Sequence, residues 1–148
     1  MGIIPLFNSR KKFSTGGNEV YLLDTNIFLE VLLNREYSPV IRNFLTRDTD
    51  TSFFITDFSC YSIGIFLTRR KQFEEFKEFL DDIEERDIRV VSLSLPELKQ
   101  VSSVCKQYDL DFDDAYQFVA ADQNQLKLVS IDHDFDRIPG GRIHPKDI

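Results

Sequence analysis

Twelve residues, Leu22 to Leu33 (LLDTNIFLEVLL), constrain this chain more than any other stretch. Val20 to Leu23 is apolar and β-prone, as a strand buried on both faces should be, and Asp24 follows it directly before a helical pattern begins. A carboxylate at a strand's carboxyl end lies where open α/β sheets bind ligands, in the crevice between departing loops. Asp is also a favoured helix N-cap, so Asp24 reads either as a cap or as a chemical group. Which reading holds depends on what other acids reach the same edge.

The rest of the chain repeats that pattern. Ile27 to Leu33 reads as a short helix, and Pro39 opens another through Val40, Ile41, Phe44 and Leu45, with Ser38 as its cap. Phe53 to Thr56 is a second strand with Asp57 just past its end. Helical patterns follow over Phe58 to Leu67 and along Phe73, Phe76, Leu80 and Ile83, the latter with an acidic, solvated opposite face. Ile88 to Leu93 is a third strand, and Pro96 starts a helix over Glu97 to Tyr108. Next comes LDFDDAYQFVAADQNQL, an acidic start and a helix with small residues for close packing. Leu126 to Ile131 is a fourth strand ending at Asp132, and Arg142 to Ile148 is a short tail suited to an edge strand. Strands and helix pairs in this order describe an α/β fold with a central parallel sheet flanked by helices.

At 148 residues the chain is long enough for one domain, here residues 20–148, after an N-terminal extension over residues 1–19. That extension is basic and Gly/Ser-rich after a short apolar patch at Ile3 to Phe7, and is expected to be flexible. A 42% apolar fraction with 14 Phe excludes global disorder, and a net charge of −7 argues against a non-specific nucleic-acid coat protein. It does not exclude a nuclease, whose metal-holding acids lower the total charge. Cys60 and Cys105 form no ligand pattern and are expected in the core. No membrane span and no signal-peptide core are present, so a cytoplasmic protein is expected.

Acids thus close three separate elements: Asp24 after the first strand, Asp113 and Asp114 at a late helix start, and Asp132 with Asp134 after the last strand. Brought together, such carboxylates repel and stay partly protonated unless a cation neutralises them. Oxygen ligands without His or Cys select Mg²⁺ or Mn²⁺. The matching chemistry is phosphodiester hydrolysis.

In its LLDTNIFLE, DFDDAYQFVAA and LVSIDHDFDRI segments the chain resembles the PIN domain family, whose bacterial members include the VapC-type toxin ribonucleases. The resemblance implies a Mg²⁺- or Mn²⁺-dependent endoribonuclease, the toxin of a toxin–antitoxin pair, with strand order 3-2-1-4-5, an RNA substrate, an antitoxin partner and a homodimeric state. On this resemblance Asp24, Asp114 and Asp132 are the catalytic, metal-site acids, and Asp134 matches an additional metal-site acid. Thr25 or Asn26 matches the polar residues that support the first acid by hydrogen bonding, and Asp113 is left to cap its helix. The family usually places a Glu two turns into the helix after the second strand; here that position is Ser62. Asp57 is the alternative second acid, or else an N-cap.

His133, between two acids, reads as a surface residue or as a ligand, and His144 has less to connect it. Arg69, Arg70 and Lys71, like Lys11 and Lys12, offer charge to RNA phosphates, or simply form a solvated helix end. Phe58, Phe66 and Phe73 are the expected dimer contact. Set against the nuclease are a PIN-fold protein that binds RNA or protein without cutting, motivated by Ser62, and a receiver-like phosphoacceptor domain. The latter wants an acidic pair near the first strand and a lysine after the last, which this chain does not have. A haloacid-dehalogenase-like phosphatase would want an acid at Asn26.

Overall fold

β1 (Glu19–Leu23) is the axis of the molecule: it pairs in parallel with β2 (Thr51–Thr56) on one side and β4 (Lys127–Val129) on the other. β3 (Arg89–Val91) extends the sheet beyond β2, giving the order β3-β2-β1-β4, all parallel. The computed structural model describes residues 19–47 and 50–148, so the expectations for the N-terminal extension, with Lys11 and Lys12, lie outside the described residues apart from Glu19, which opens β1.

Alternation along β1 divides the core in two. Tyr21 and Leu23 face one cluster and Leu22 faces the other, because successive side chains leave opposite faces of a strand. The first cluster is closed by α1 (Thr25–Leu32), α2 (Ser38–Thr46), α3 (Asp57–Arg69) and α4 (Phe73–Glu85). The second is closed by α5 (Leu95–Tyr108) and α6 (Phe112–Gln123). Leu22 and Leu23 are both fully buried, each contributing about 1.5–3 kcal/mol by area removed from water. Cys60 is buried in the first core, where burial pushes its thiol up to about 11; Cys105 packs half-buried beside the second.

The expected fifth strand is reduced to a single parallel bridge, Val129 to Ile143. Two hydrogen bonds form there, Ile143 N to Leu128 O at 2.8 Å and Ser130 N to Ile143 O at 3.1 Å. Gly140 and Gly141, at φ 79° and 59°, turn the chain just before it, and Pro145 two residues later has no N–H to continue the ladder. Ser38 is not a cap. Tyr37 holds the N-cap position of α2, its N–H taken by the Glu30 carboxylate at 3.1 Å, while Ser38 is buried and its Oγ accepts from Arg42 Nε at 3.3 Å. Ser94 and Glu97 form a capping box, so α5 begins at Leu95 rather than at Glu97.

Gly64 lets α3 approach α4 closely. A Cβ there would sit 2.8 Å from Phe76 Cζ. Gly64→Ala is therefore expected to destabilise the fold by about 1–3 kcal/mol through overpacking, read as a lower midpoint in urea with an unchanged slope.

Candidate metal centre

Parallel strands bring their carboxyl ends to one edge, and the acids collect there. Asp24 follows β1 and N-caps α1, with Oδ1 accepting from Thr25 N at 2.8 Å. Its Oδ2 accepts from the Ser130 hydroxyl at 2.7 Å. It is 5% exposed, and burial, reinforced by Asp132 and Asp113 against the two hydrogen bonds, pushes its carboxyl up to about 6. Asp114 lies in the first turn of α6 and is 7% exposed; burial together with Asp113, Asp132, Asp24 and Asp134 raises it to about 7. Asp132 caps the 3-10 turn His133–Arg137, accepting from Asp134 N at 2.9 Å. One carboxylate oxygen from each of Asp114, Asp132 and Asp134 lies within 4.8 Å of the others.

Asp24 stands beside that trio rather than inside it, lining the same depression of about 250 Å³ together with Asp113, Asp114 and Asp132. The donor set suits a hard divalent ion: it is all oxygen, and burial, reinforced by the neighbouring carboxylates, raises the Asp24 and Asp114 carboxyls to about 6 and about 7. Arg137, 3.2 Å from Asp134, pairs with a half-exposed member of the trio.

Asp113 needs correcting. It does not cap α6, which follows Asp111; it lies on the first turn and lines the pocket as a further carboxylate. Asp57 is corrected too. Thr56 caps α3, and Asp57 Oδ1 accepts from Phe58 N at 2.7 Å and from the Tyr116 hydroxyl at 2.6 Å, outside the lining of the acid pocket. Its role there is to tie α3 to α6, with Tyr116 in turn accepting from Leu93 N at 3.2 Å. Ser62, by contrast, lines the acid pocket.

The supporting residues act differently from expectation. Thr25 holds Asp24 through its backbone N–H, while its hydroxyl meets Ser59 Oγ at 2.7 Å. Asn26 works through Ser130, donating to its Oγ at 3.3 Å, and Ser130 carries the bond on to Asp24. Sequence reasoning misses Ser130, and it misses Ser59 and Gln117, which complete the polar wall below the acids. A signal exists for two of them: Ser130 lies two residues before Asp132, and Gln117 one turn beyond Asp114.

Other candidates lie elsewhere. Arg69, Arg70 and Lys71 close the far end of α3, about 10 Å along the helix from Ser62 at 1.5 Å per residue, and Arg70 covers the Phe66 ring at 3.8 Å. His133 is outside the acid trio, its Nδ1 3.0 Å from Arg142 Nη2. His144 packs edge-on against Tyr37 and caps the turn at Pro145. Of the expected dimer contacts, Phe58 is half-buried against Phe112 and Tyr116, Phe66 is half-buried under Arg70, and only Phe73 is largely exposed, at 59%.

Fold and site together define a class, the parallel α/β domain that gathers acids from three elements at one sheet edge. Within that class the chain belongs to the PIN domain family, whose sequence model matches residues 21–141. Solved structures of similar fold include a toxin–antitoxin complex from Klebsiella pneumoniae (TM-score 0.66, 19% identity, 86% of this chain and 99% of that one). Others are VapBC2 from Rickettsia felis bound to a DNA fragment from its promoter (0.64, 18%, 84% and 96%) and VapBC-1 from nontypeable Haemophilus influenzae (0.65, 15%, 83% and 95%). Among curated protein sequences nothing matches. No helix among the described residues is long and apolar enough to cross a membrane.

Proposed function

We propose that this chain is a Mg²⁺- or Mn²⁺-dependent endoribonuclease that hydrolyses RNA phosphodiester bonds, acting as the toxin of a toxin–antitoxin pair. The observation that carries the reading is the convergence of Asp114, Asp132 and Asp134 oxygens within 4.8 Å, with Asp24 and Asp113 on the same pocket wall. Asp24, Asp114, Asp132 and Asp134 would hold the cation. Bound there, a divalent ion lowers the pKa of water to supply a nucleophile and stabilises the charge that develops on a phosphoryl group. The chain's own residues do the positioning. Ser130, braced by Asn26, fixes one oxygen of Asp24, and Thr25 N–H fixes the other.

Family membership and the toxin–antitoxin complexes among similar folds support a small antitoxin as partner. A cytoplasmic homodimer completes the proposal, as does a single domain over residues 20–148. The exposed Phe73 contributes to its interface together with Tyr61 and Ile65, which are also exposed on α3. RNA phosphates passing beyond the pocket would meet Arg69, Arg70 and Lys71. Incubating a generic single-stranded RNA with the protein and Mn²⁺ tests the reading: fragments that disappear with EDTA support it, and intact RNA at saturating Mn²⁺ sinks it.

A second reading, an RNA- or protein-binding PIN domain that does not cut, is favoured by one observation: a hydroxyl, Ser62, lines the acid pocket, and on the sequence resemblance it would stand in place of the family's second acid. Ser62→Glu separates the two. Restoring the charge is expected to raise Mn²⁺ affinity about tenfold, equivalent to about 1.4 kcal/mol, and to raise cleavage with it. Asp57→Asn, altering a carboxylate outside the pocket, is expected to leave that affinity unchanged. Calorimetric titration of both variants reads the difference; tighter binding without any cleavage would favour the non-cutting domain.

A further inference from the structure

The acid pocket has one wall without charge, made by α1 and α3, and Gln117 is fixed against it. Gln117 lies one turn beyond Asp114 on α6, so the two side chains share a helix face. It is 1% exposed and lines the same pocket as the acids. Its amide nitrogen is held from two sides, donating to Ser59 Oγ at 2.6 Å and to Thr25 Oγ1 at 3.3 Å. Ser59 Oγ also receives the Thr56 hydroxyl at 3.1 Å, so its remaining acceptor capacity goes to Gln117 and its own proton goes to Thr25. In this arrangement the amide nitrogen faces the two hydroxyls. The other end, Oε1, is buried and, among the described residues, accepts no hydrogen bond.

A buried carbonyl without a partner costs about 1–3 kcal/mol. Met fills similar space without that cost, so the oxygen calls for a ligand. The pocket's occupant, on the cation-dependent reading above, is a divalent ion, and amide carbonyls are ordinary hard-oxygen ligands for such ions. A neutral oxygen also adds coordination without adding to the repulsion among Asp24, Asp113, Asp114 and Asp132.

We infer that Gln117 supplies its carbonyl oxygen to the coordination sphere of the cation, directly or through one water, and so offsets the acid lacking at Ser62. The inference rests on the cation-dependent reading of the same pocket.

The test is Mn²⁺ binding to the full chain, followed by calorimetry and by loss of the free-ion electron paramagnetic resonance signal, with metal-free melting temperature measured in parallel. Gln117→Met is expected to weaken Mn²⁺ binding about fivefold or more, equivalent to about 1 kcal/mol, with the metal-free melting temperature unchanged or raised. Gln117→Glu keeps the oxygen and adds charge, so Mn²⁺ binding is expected to tighten about tenfold while the metal-free melting temperature falls. Opposite signs from two variants at one position are the signature, because a residue that only ties helices together would weaken binding in both. Should Gln117→Met fail to fold, the sign of Gln117→Glu alone decides. Binding by both variants that matches the wild type, or is weakened equally in both, overturns the inference and leaves the cation reading standing. A wild type that binds no Mn²⁺ overturns both.

Discussion

Raising the pH of the metal-free protein from about 4 to about 8 is expected to lower its stability by about 2.5 kcal/mol from Asp24 alone, with Asp114 adding to the fall. In the folded chain the Asp24 carboxyl titrates at about 6 against an ordinary 3.8, and that of Asp114 at about 7. Between the ordinary and the folded value the native state keeps protons that the unfolded chain has released. Stability therefore falls with pH through that window, is full below it and levels off above about 7. Asp24→Asn removes the Asp24 share of the slope, makes the remainder shallower by relieving Asp114 of one like charge, and leaves the variant more stable than the wild type at neutral pH without metal. Urea unfolding at a series of pH values in EDTA reads the effect directly. A wild-type curve that is flat from pH 4 to 8, or an Asp24→Asn curve of unchanged slope, would contradict the buried-acid account.

The second large effect concerns Asp114. Its carboxyl is the one member of the acid trio that is buried, and it sits on the same helix face as Gln117. Asp114→Asn keeps the shape and removes the charge. The proposal expects Mn²⁺-dependent RNA cleavage to fall by about a thousandfold, since a metal's stabilisation of a phosphoryl transition state amounts to several kcal/mol. Folding should survive, because like-charge repulsion is relieved. Single-turnover cleavage at saturating RNA, with far-ultraviolet circular dichroism as the control for folding, measures the loss; a variant that cleaves within about tenfold of wild type would remove Asp114 from its role.

The strand-then-acid pattern makes half of this site legible in the residues themselves. Val20 to Leu23 reads as a buried strand, so Asp24 at its end belongs at the sheet's carboxyl edge, and the same logic places Asp132, whereas Asp114 comes from the start of a helix. The sheet order over four strands is what the PIN resemblance implies, and that resemblance rests on these segments. What the residues hide depends on contacts between distant positions. Asp57 looks like a site acid by position, but its partner Tyr116 is 59 residues away. The bond from Ser130 to Asp24 spans 106 residues, and no local pattern announces it. Asp113 escapes the pattern for a different reason: a small shift in where α6 begins, with Asp111 rather than Asp113 as the boundary residue, moves a side chain from a cap to a pocket wall. The missing fifth strand is likewise a matter of Gly140, Gly141 and Pro145 outweighing the β-prone tail between them.

The central claim is that the converging acids form a cation-dependent RNA-cleaving centre, and the most direct measurement is cleavage of a fluorescently labelled single-stranded RNA against Mn²⁺ concentration. Wild type and Asp114→Asn are compared in parallel with calorimetric Mn²⁺ binding. The account predicts that wild-type cleavage rises along the binding isotherm and is abolished by EDTA, with the variant inactive and weak in Mn²⁺ binding. Wild type that binds Mn²⁺ and leaves RNA intact, or cleavage that persists in EDTA and in Asp114→Asn, would contradict it.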